Sequence, residues 1–382
     1  MIQERLENFR KNRNCTFLGV GPMSKNCVDA SIELAEQYKI PLMLIASRRQ
    51  IDSEHFGGGY VENWKTKEFS DYVLERDKNQ NIILARDHGG PWQNELEKTQ
   101  KMNLKDAMQS AKKSFQSDID AGFHMLHIDP SIDIFTQPNI DQVLERVYEL
   151  YDFCWSYAKK KNQDIIFEIG TEEQSGSNNT QEELEYTLEQ MRKFCKSNKM
   201  PFPSFIVIQA GTRVMETKNI GSFDSPIRVA NELPPEIQIP KMISICEKHG
   251  IFMKEHNTDY LSTESLKWQP RLGIHAANIA PEFGVSETKA LIAILKENKC
   301  DDLLDEFLKI SYDSEKWKKW MLKDTDANDL DRAIIAGHYV FSSEEVIELK
   351  AKAKKRINNL DKYLKNAVKK SIFRYMSAFN LT

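Results

Sequence analysis

Cysteine is scarce and dispersed in this chain. Six residues, at 15, 27, 154, 195, 246 and 300, form no CxxC pair, so neither a zinc knuckle nor a disulfide framework is indicated. Long apolar runs are missing too, and none approaches the roughly 20 residues that cross a bilayer. The first fourteen residues are highly charged and lack the apolar centre of a signal peptide. Charge of one sign does not dominate: 53 Lys and Arg against 57 Asp and Glu give a formal net charge of −4. No basic stripe invites nucleic acid. There is no internal repeat and no low-complexity linker. These absences predict a reduced, cytoplasmic protein with no nucleic-acid or membrane partner.

What is present is an alternation. Eight short apolar runs, separated mostly by helix-length stretches, each end in a cluster of polar residues. The predicted strands are residues 16–20, 41–46, 82–85, 125–128, 165–167, 205–208, 251–253 and 272–274. The second is apolar throughout, as a parallel strand covered on both faces would be. Strand, polar tip and helix repeated eight times predict an α/β fold, a (β/α)₈ TIM barrel, with its site at the C-terminal ends of the strands. Between the seventh and eighth strands only a very short helix fits. After residue 280 the pattern changes to charged helices with Trp317, Trp320 and Tyr339. The expected division is a barrel over 1–300 and a C-terminal helical appendage over 301–382, with 382 residues enough for both.

The strand tips supply candidate chemistry. Asp87-His88 follows the third strand and His256 the seventh, on opposite sides of the predicted mouth. Imidazole suits zinc, and a carboxylate beside it moves a proton or orients the ring. Two histidines are too few for a closed structural zinc site, and a catalytic site usually has three protein ligands and an open position. Glu172, Gln209 and His127 are the candidates for the third. Gln is a poor zinc ligand, so Gln209 reads better as a substrate contact. His127 shares a face with Asp129 and reads equally as an interior histidine held by hydrogen bonds. Arg48-Arg49, after the second strand, match the fork geometry that clamps a phosphate or carboxylate, or one of them pairs with an acid. His275 and Asn278 end the predicted eighth strand, where many barrels hold phosphate. His55, His124, His249 and His338 read as surface positions.

At these same tips the chain resembles the GatZ/KbaZ-like family of tagatose-bisphosphate aldolase non-catalytic subunits, relatives of class II ketose-bisphosphate aldolases. The matching pieces are Asp87-His88-Gly89-Gly90-Pro91, Ala121-Gly122-Phe123 with His127-Ile128-Asp129-Pro130-Ser131, Ile169-Gly170-Thr171-Glu172, Gln209-Ala210-Gly211 and Glu255-His256-Asn257-Thr258-Asp259-Tyr260. Trp317-Lys318-Lys319-Trp320 is similar to an aromatic-lysine segment of the family. The resemblance implies a TIM barrel with a divalent metal, usually zinc. By position, Asp87 resembles the proton-transfer aspartate, His88 and His256 resemble metal ligands, and Asn278 resembles the asparagine of the phosphate loop. Gln209 stands where active class II aldolases have histidine. Asn257-Thr258-Asp259-Tyr260 replace a glycine-serine phosphate loop, and Arg48-Arg49 differ from the usual family residues, which points to a different anionic substrate.

Two functions follow as expectations. One is a metal-dependent lyase or epimerase of carbohydrate metabolism, acting on an open-chain sugar or sugar phosphate through an enediolate. Asp87, Asp129 and Glu172 would be its catalytic residues and Zn²⁺ its cofactor. The other is a non-catalytic subunit that stabilises a separate aldolase partner. The retained polar groups at the tips favour the first, since each costs desolvation unless used. A homo-oligomer is expected in either case.

Overall fold

A computed structural model describes residues 1–170, 180–223 and 234–382. Eight parallel strands close into a barrel. They are β1 Phe17–Val20, β2 Leu42–Ser47, β3 Ile82–Gly89, β4 Met125–Ile128, β5 Ile166–Ile169, β6 Phe205–Val207, β7 Phe252–Glu255 and β8 Ala276–Ile279, with β1 paired to both β2 and β8. The chain is therefore a (β/α)₈ TIM barrel with further helices at its C-terminus. A two-stranded hairpin, Val214–Met215 against Lys218–Asn219, follows β6. No helix of the described residues is long and apolar enough to cross a membrane.

The eighth strand is a correction. Residues 272–274 do not form it. Leu272 ends the short helix Trp268–Leu272, Gly273 turns with φ 87°, and the strand begins at Ala276. The joint that looked too short for a full crossover is filled by two helices of four and five residues, Thr263–Leu266 and Trp268–Leu272.

Among the described residues three apolar clusters hold the molecule. The largest lies between the barrel wall and its surrounding helices. The second fills the lower barrel: Phe17, Met43, Ile45, Ile83, Ala85, Met125, Ile166, Phe205 and Ala276 pack with Leu6 of the N-terminal helix Ile2–Lys11. That helix thus closes the end opposite the strand tips. The third joins the helix Pro281–Glu297 to Leu303, Phe307, Val346, Leu349 and Leu364. The last helix, Leu360–Ala378, then runs back into the largest cluster through Val368, Ile372, Tyr375 and Met376.

Leu6 is fully buried at the lower end. We expect Leu6→Ala to cost about 3 kcal/mol, the middle of the range for such a truncation, measured as a lower urea midpoint with unchanged slope. A loss under about 0.5 kcal/mol would show that the end plug is not part of the cooperative core.

Candidate active site

The polar layer begins where the apolar plug ends. In a strand alternate residues face the same side, so Ala85 and Asp87, Met125 and His127, Ile166 and Glu168, Phe252, Lys254 and His256, and Ala276 and Asn278 point inward in register. His88 breaks the alternation. Its φ is +46°, and the β3–β4 pairing shifts between Arg86 and Gly89. This irregularity lets two successive residues, Asp87 and His88, both reach the mouth. Two glycines make room for the layer. A Cβ on Gly19 would stand 2.2 Å from Asn278 Oδ1, and one on Gly170 2.5 Å from His127 Nε2.

Three imidazoles meet here. The ring centroids of His88, His127 and His256 lie 5.0–5.3 Å apart. Each is set by a neighbour. His88 Nδ1 is 2.7 Å from Asp129 Oδ2, which leaves Nε2 facing Asp87 at 3.9 Å. Asp129 also accepts from Gln93 Nε2 at 3.0 Å and from the Ser131 hydroxyl. Burial raises the Asp129 pKa, but the His88 contact and the nearby His127 outweigh it and bring it to about 2. Asp129 is thus the carboxylate that orients His88. His127 Nδ1 accepts the His88 backbone N–H at 3.2 Å and stands 3.7 Å from both Asp87 Oδ1 and Glu168 Oε1.

Asp87 accepts from Asn278 Nδ2 at 3.1 Å and lies 3.9 Å from His256 Nε2. Burial acts to raise its pKa, yet His88, His127 and His256 hold it well below the usual carboxylate range. Beneath them, Lys254 and Glu168 form a fully buried ion pair of 2.6 Å, and the other Glu168 oxygen is 3.2 Å from His256 Nε2. Burial pushes the Glu168 pKa up, but Lys254, then His127 and His256, bring it down to about 2.

Asp87, His88, Asp129, His256 and Asn278 all line one cavity of about 590 Å³, together with Arg49, Lys98, Lys319, Trp320 and Tyr339. Gln209, two residues past Val207, is buried, 9% exposed, and does not line this cavity. Glu172 lies outside the described residues.

Two expected substrate contacts are otherwise engaged, although Arg48 does stand in the cavity wall. The Arg48 guanidinium is buried and spent on Asp52 Oδ2 at 3.0 Å, Glu97 Oε1 at 2.6 Å and the Gly90 carbonyl at 3.0 Å. It ties the loops after β2 and β3 together. His275 precedes β8, at the plugged end of the barrel. There its Nδ1 accepts from Met253 N at 3.2 Å and its ring stacks on Phe252. Burial, then Arg10, lowers its pKa to about 3. His338, expected at the surface, is 1% exposed under Tyr339, and His249 is also buried.

Sequence reading passed over Glu168 and Lys254. The signal was there: two charged residues inside apolar strands that must bury them, with His127 and His256 at matching register. A model of the family described as D-tagatose-1,6-bisphosphate aldolase subunit GatZ/KbaZ-like matches residues 2–342. The chain belongs to the GatZ/KbaZ-like family.

Solved structures agree on the fold of this GatZ/KbaZ-like chain. The probable tagatose 6 phosphate kinase of Sinorhizobium meliloti 1021 is 16% identical over 95% of this chain and 100% of its own, with a TM-score of 0.70. The fructuronate-tagaturonate epimerase UxaE of Cohnella laeviribosi, in its two-glycerol complex, is 11% identical over 97% and 82%, TM-score 0.62. The fructose-bisphosphate aldolase of Campylobacter jejuni is 10% identical over 99% and 94%, TM-score 0.56.

The two arginines separate by experiment. Arg48→Met strands Asp52 and Glu97, and such a broken buried pair costs about 3–5 kcal/mol. Arg49→Met removes no ion pair and should stay within about 0.5 kcal/mol of the parent; chemical denaturation of both variants checks this. A second expectation concerns acid. Because the folded Glu168 pKa is depressed to about 2, its contribution is full above its ordinary value of 4.5. It is lost as pH falls from there through about 2. Glu168→Gln should flatten the fall in stability across that window, followed by circular dichroism at fixed denaturant.

Proposed function

We propose that this protein is a metal-dependent enzyme that acts on an open-chain anionic ketose through an enediolate, in aldol cleavage and condensation. The observation that carries the reading is the Asp87 carboxylate, ringed by three histidines within 3.7–3.9 Å in the wall of an open cavity. A chain kept only for packing gains nothing from such a layer, which is costly to desolvate.

A divalent cation fits the residues present. Ligand atoms of Asp87, His88 and His256 lie within 4.8 Å of one another, as do those of His127, Glu168 and His256. His256 Nε2 meets the Asn278 amide nitrogen at 2.9 Å and Glu168 Oε1 at 3.2 Å. One neutral ring nitrogen cannot both accept from the first and donate to the second, and a cation shared by nitrogen and carboxylate removes the conflict. His88 and His256 would hold it, with His127, Glu168, Gln209 or Glu172 as further donors. Zinc suits this nitrogen and oxygen set. When bound, the cation polarises a carbonyl oxygen as a Lewis acid.

The chain's own residues do the rest. Asp87 accepts the proton of the hydroxyl on the carbon being released. That oxygen closes to a carbonyl, the carbon–carbon bond breaks, and its electron pair enters the neighbouring carbonyl to give the enediolate. A proton returned to carbon completes the second fragment. Asn278 holds Asp87 by one oxygen, leaving the other for substrate. Asp129 fixes the His88 ring, and the Glu168–Lys254 pair fixes His256 from below.

The names of two structural neighbours, a fructose-bisphosphate aldolase and a fructuronate-tagaturonate epimerase, support sugar chemistry of this kind. Epimerisation uses the same groups if the fragment re-adds to the other face. The amide of Gln209 at the sixth strand favours the alternative, a non-catalytic subunit that stabilises an aldolase partner.

The test incubates the purified chain with ketose phosphates and sugar acids in deuterated water and follows NMR. We expect cleavage, epimerisation or exchange of a hydrogen beside a carbonyl, arrested by a chelator and restored by zinc. Asp87→Asn should lower the rate by about 10²–10⁴-fold with the fold intact. Silence across the panel, with a co-expressed class II aldolase gaining activity when this chain is added, would replace the enzyme reading by the subunit one.

A further inference from the structure

The cations around the mouth divide into two sets. Arg48, Arg86, Arg146 and Lys254 are all engaged with acids, at 2.5–3.0 Å. Arg49, Lys98 and Lys319 have no ion-pair partner within 4 Å among the described residues, yet all three line the cavity that holds Asp87, His88 and His256. They come from three places in the chain: the loop after β2, the short helix Glu95–Thr99 and the C-terminal segment. Burial, then Arg49, pulls the Lys98 pKa down. The Lys319 pKa is lowered as well, by partial desolvation at the cavity mouth and then by Arg49 and Lys316. Glu95 is the acid that bears on both lysines, and it is exposed and forms no pair with them. Like charges gathered without a counter-ion repel until something brings the opposite charge.

Lys319 is also held in place. Its ammonium stands 4.8 Å from the Trp320 ring centroid and 4.9 Å from that of Tyr339, a cation–π seat. Tyr339 in turn packs on Tyr60 at 4.9 Å.

The usual alternative seat for an anion is closed. In many barrels a helix N-terminus near the eighth strand binds phosphate. Here the helix Pro281–Glu297 offers that N-terminus, but Asp259 Oδ1 accepts from Ala280 N at 3.0 Å and Glu282 N at 2.8 Å. Asp259 is 2% exposed, so the chain's own carboxyl occupies the donors.

We propose that Arg49, Lys98 and Lys319 form one anion subsite, shared between barrel and C-terminal segment, that holds a single terminal oxyanion of the sugar, while Asp259 excludes a second one. The inference rests on the proposed function for the rest of the substrate. The ligand class is an open-chain ketose with one phosphate ester or one carboxylate at the end remote from Asp87. A sugar anionic at both ends finds only one seat.

The test is calorimetric titration of the full chain with a chelator present, so that turnover adds no heat. The probes are inorganic phosphate, a ketohexose 6-phosphate, the matching 1,6-bisphosphate and a keto-hexuronate. We expect the monophosphate or the uronate to bind, and the tighter of the two names the oxyanion. Arg49→Ala and Lys319→Ala should each weaken it by about tenfold or more, as loss of a charged hydrogen bond does, and Lys98→Ala by less. The bisphosphate should bind no better than the monophosphate. All three positions are partly or wholly solvent-reached, and a thermal melt checks folding. Unchanged affinity in both variants, no binding at about millimolar ligand, or a bisphosphate tenfold tighter than the monophosphate overturns the subsite. Deuterium exchange keeps the two readings apart. Binding that depends on Arg49 and Lys319 in a chain that exchanges nothing leaves the subsite and removes the enzyme. Exchange with KM unmoved in both variants does the reverse.

Discussion

The buried pair between Lys254 and Glu168 is the interaction on which the upper barrel depends. A lysine inside a closed barrel has no water to solvate it, so it requires a carboxylate, and that carboxylate must itself be ionised. Once Glu168 is fixed by one oxygen, its other oxygen sets His256, and its charge bears on His127. Those two rings and Asn278 then define where Asp87 and His88 sit. The pair also divides the barrel. Below it lies the apolar layer packed with Leu6; above it stand Asp87, His88, His127, His256 and Asn278. Removing either partner alone would leave an uncompensated charge, the costly case for buried pairs, and the loss would reach the mouth as well as the stability.

Much of this was legible in the sequence because strands and tips are local features. Apolar runs ending in Asp87-His88, Asp129 and His256 fell where the barrel places them. What escaped depends on contacts far apart in the chain. Arg48 and Arg49 are adjacent and chemically alike, yet Asp52 and Glu97 claim the first and leave the second at the rim. His275 was assigned to a strand tip because the eighth strand was read four residues early; the true strand puts it at the plugged end, against Phe252. His338 was read as exposed because nothing local shows that Gly284 and Tyr339 cover it. Lys319 could be seen as part of an aromatic-lysine segment, but not that the chain folds back to hang it over the mouth.

That return of the C-terminal segment changes what counts as the site. Trp320 and Tyr339 come from beyond the barrel's closing helix and stand on the same cavity as residues of β3 and β8. The helix Leu360–Ala378 secures the segment, since its later half lies in the main apolar cluster and Arg374 and Tyr375 bond Glu282 at the start of the helix Pro281–Glu297. The barrel supplies the reactive layer, and the segment after it supplies one wall.

The helix Ile2–Lys11 gives the barrel the character of a blind well. Leu6 and the apolar layer above it deny passage from below, so solvent and any ligand share one entrance. In a reaction that splits a chain in two, the fragment nearer the rim must depart before the deeper one, and re-entry of that first fragment blocks the second. Product inhibition would then be ordered, with the two fragments giving different patterns against the parent sugar. If the proposed cleavage holds, the order of release would in this sense be written at the far end of the barrel, in a helix remote from the strand tips.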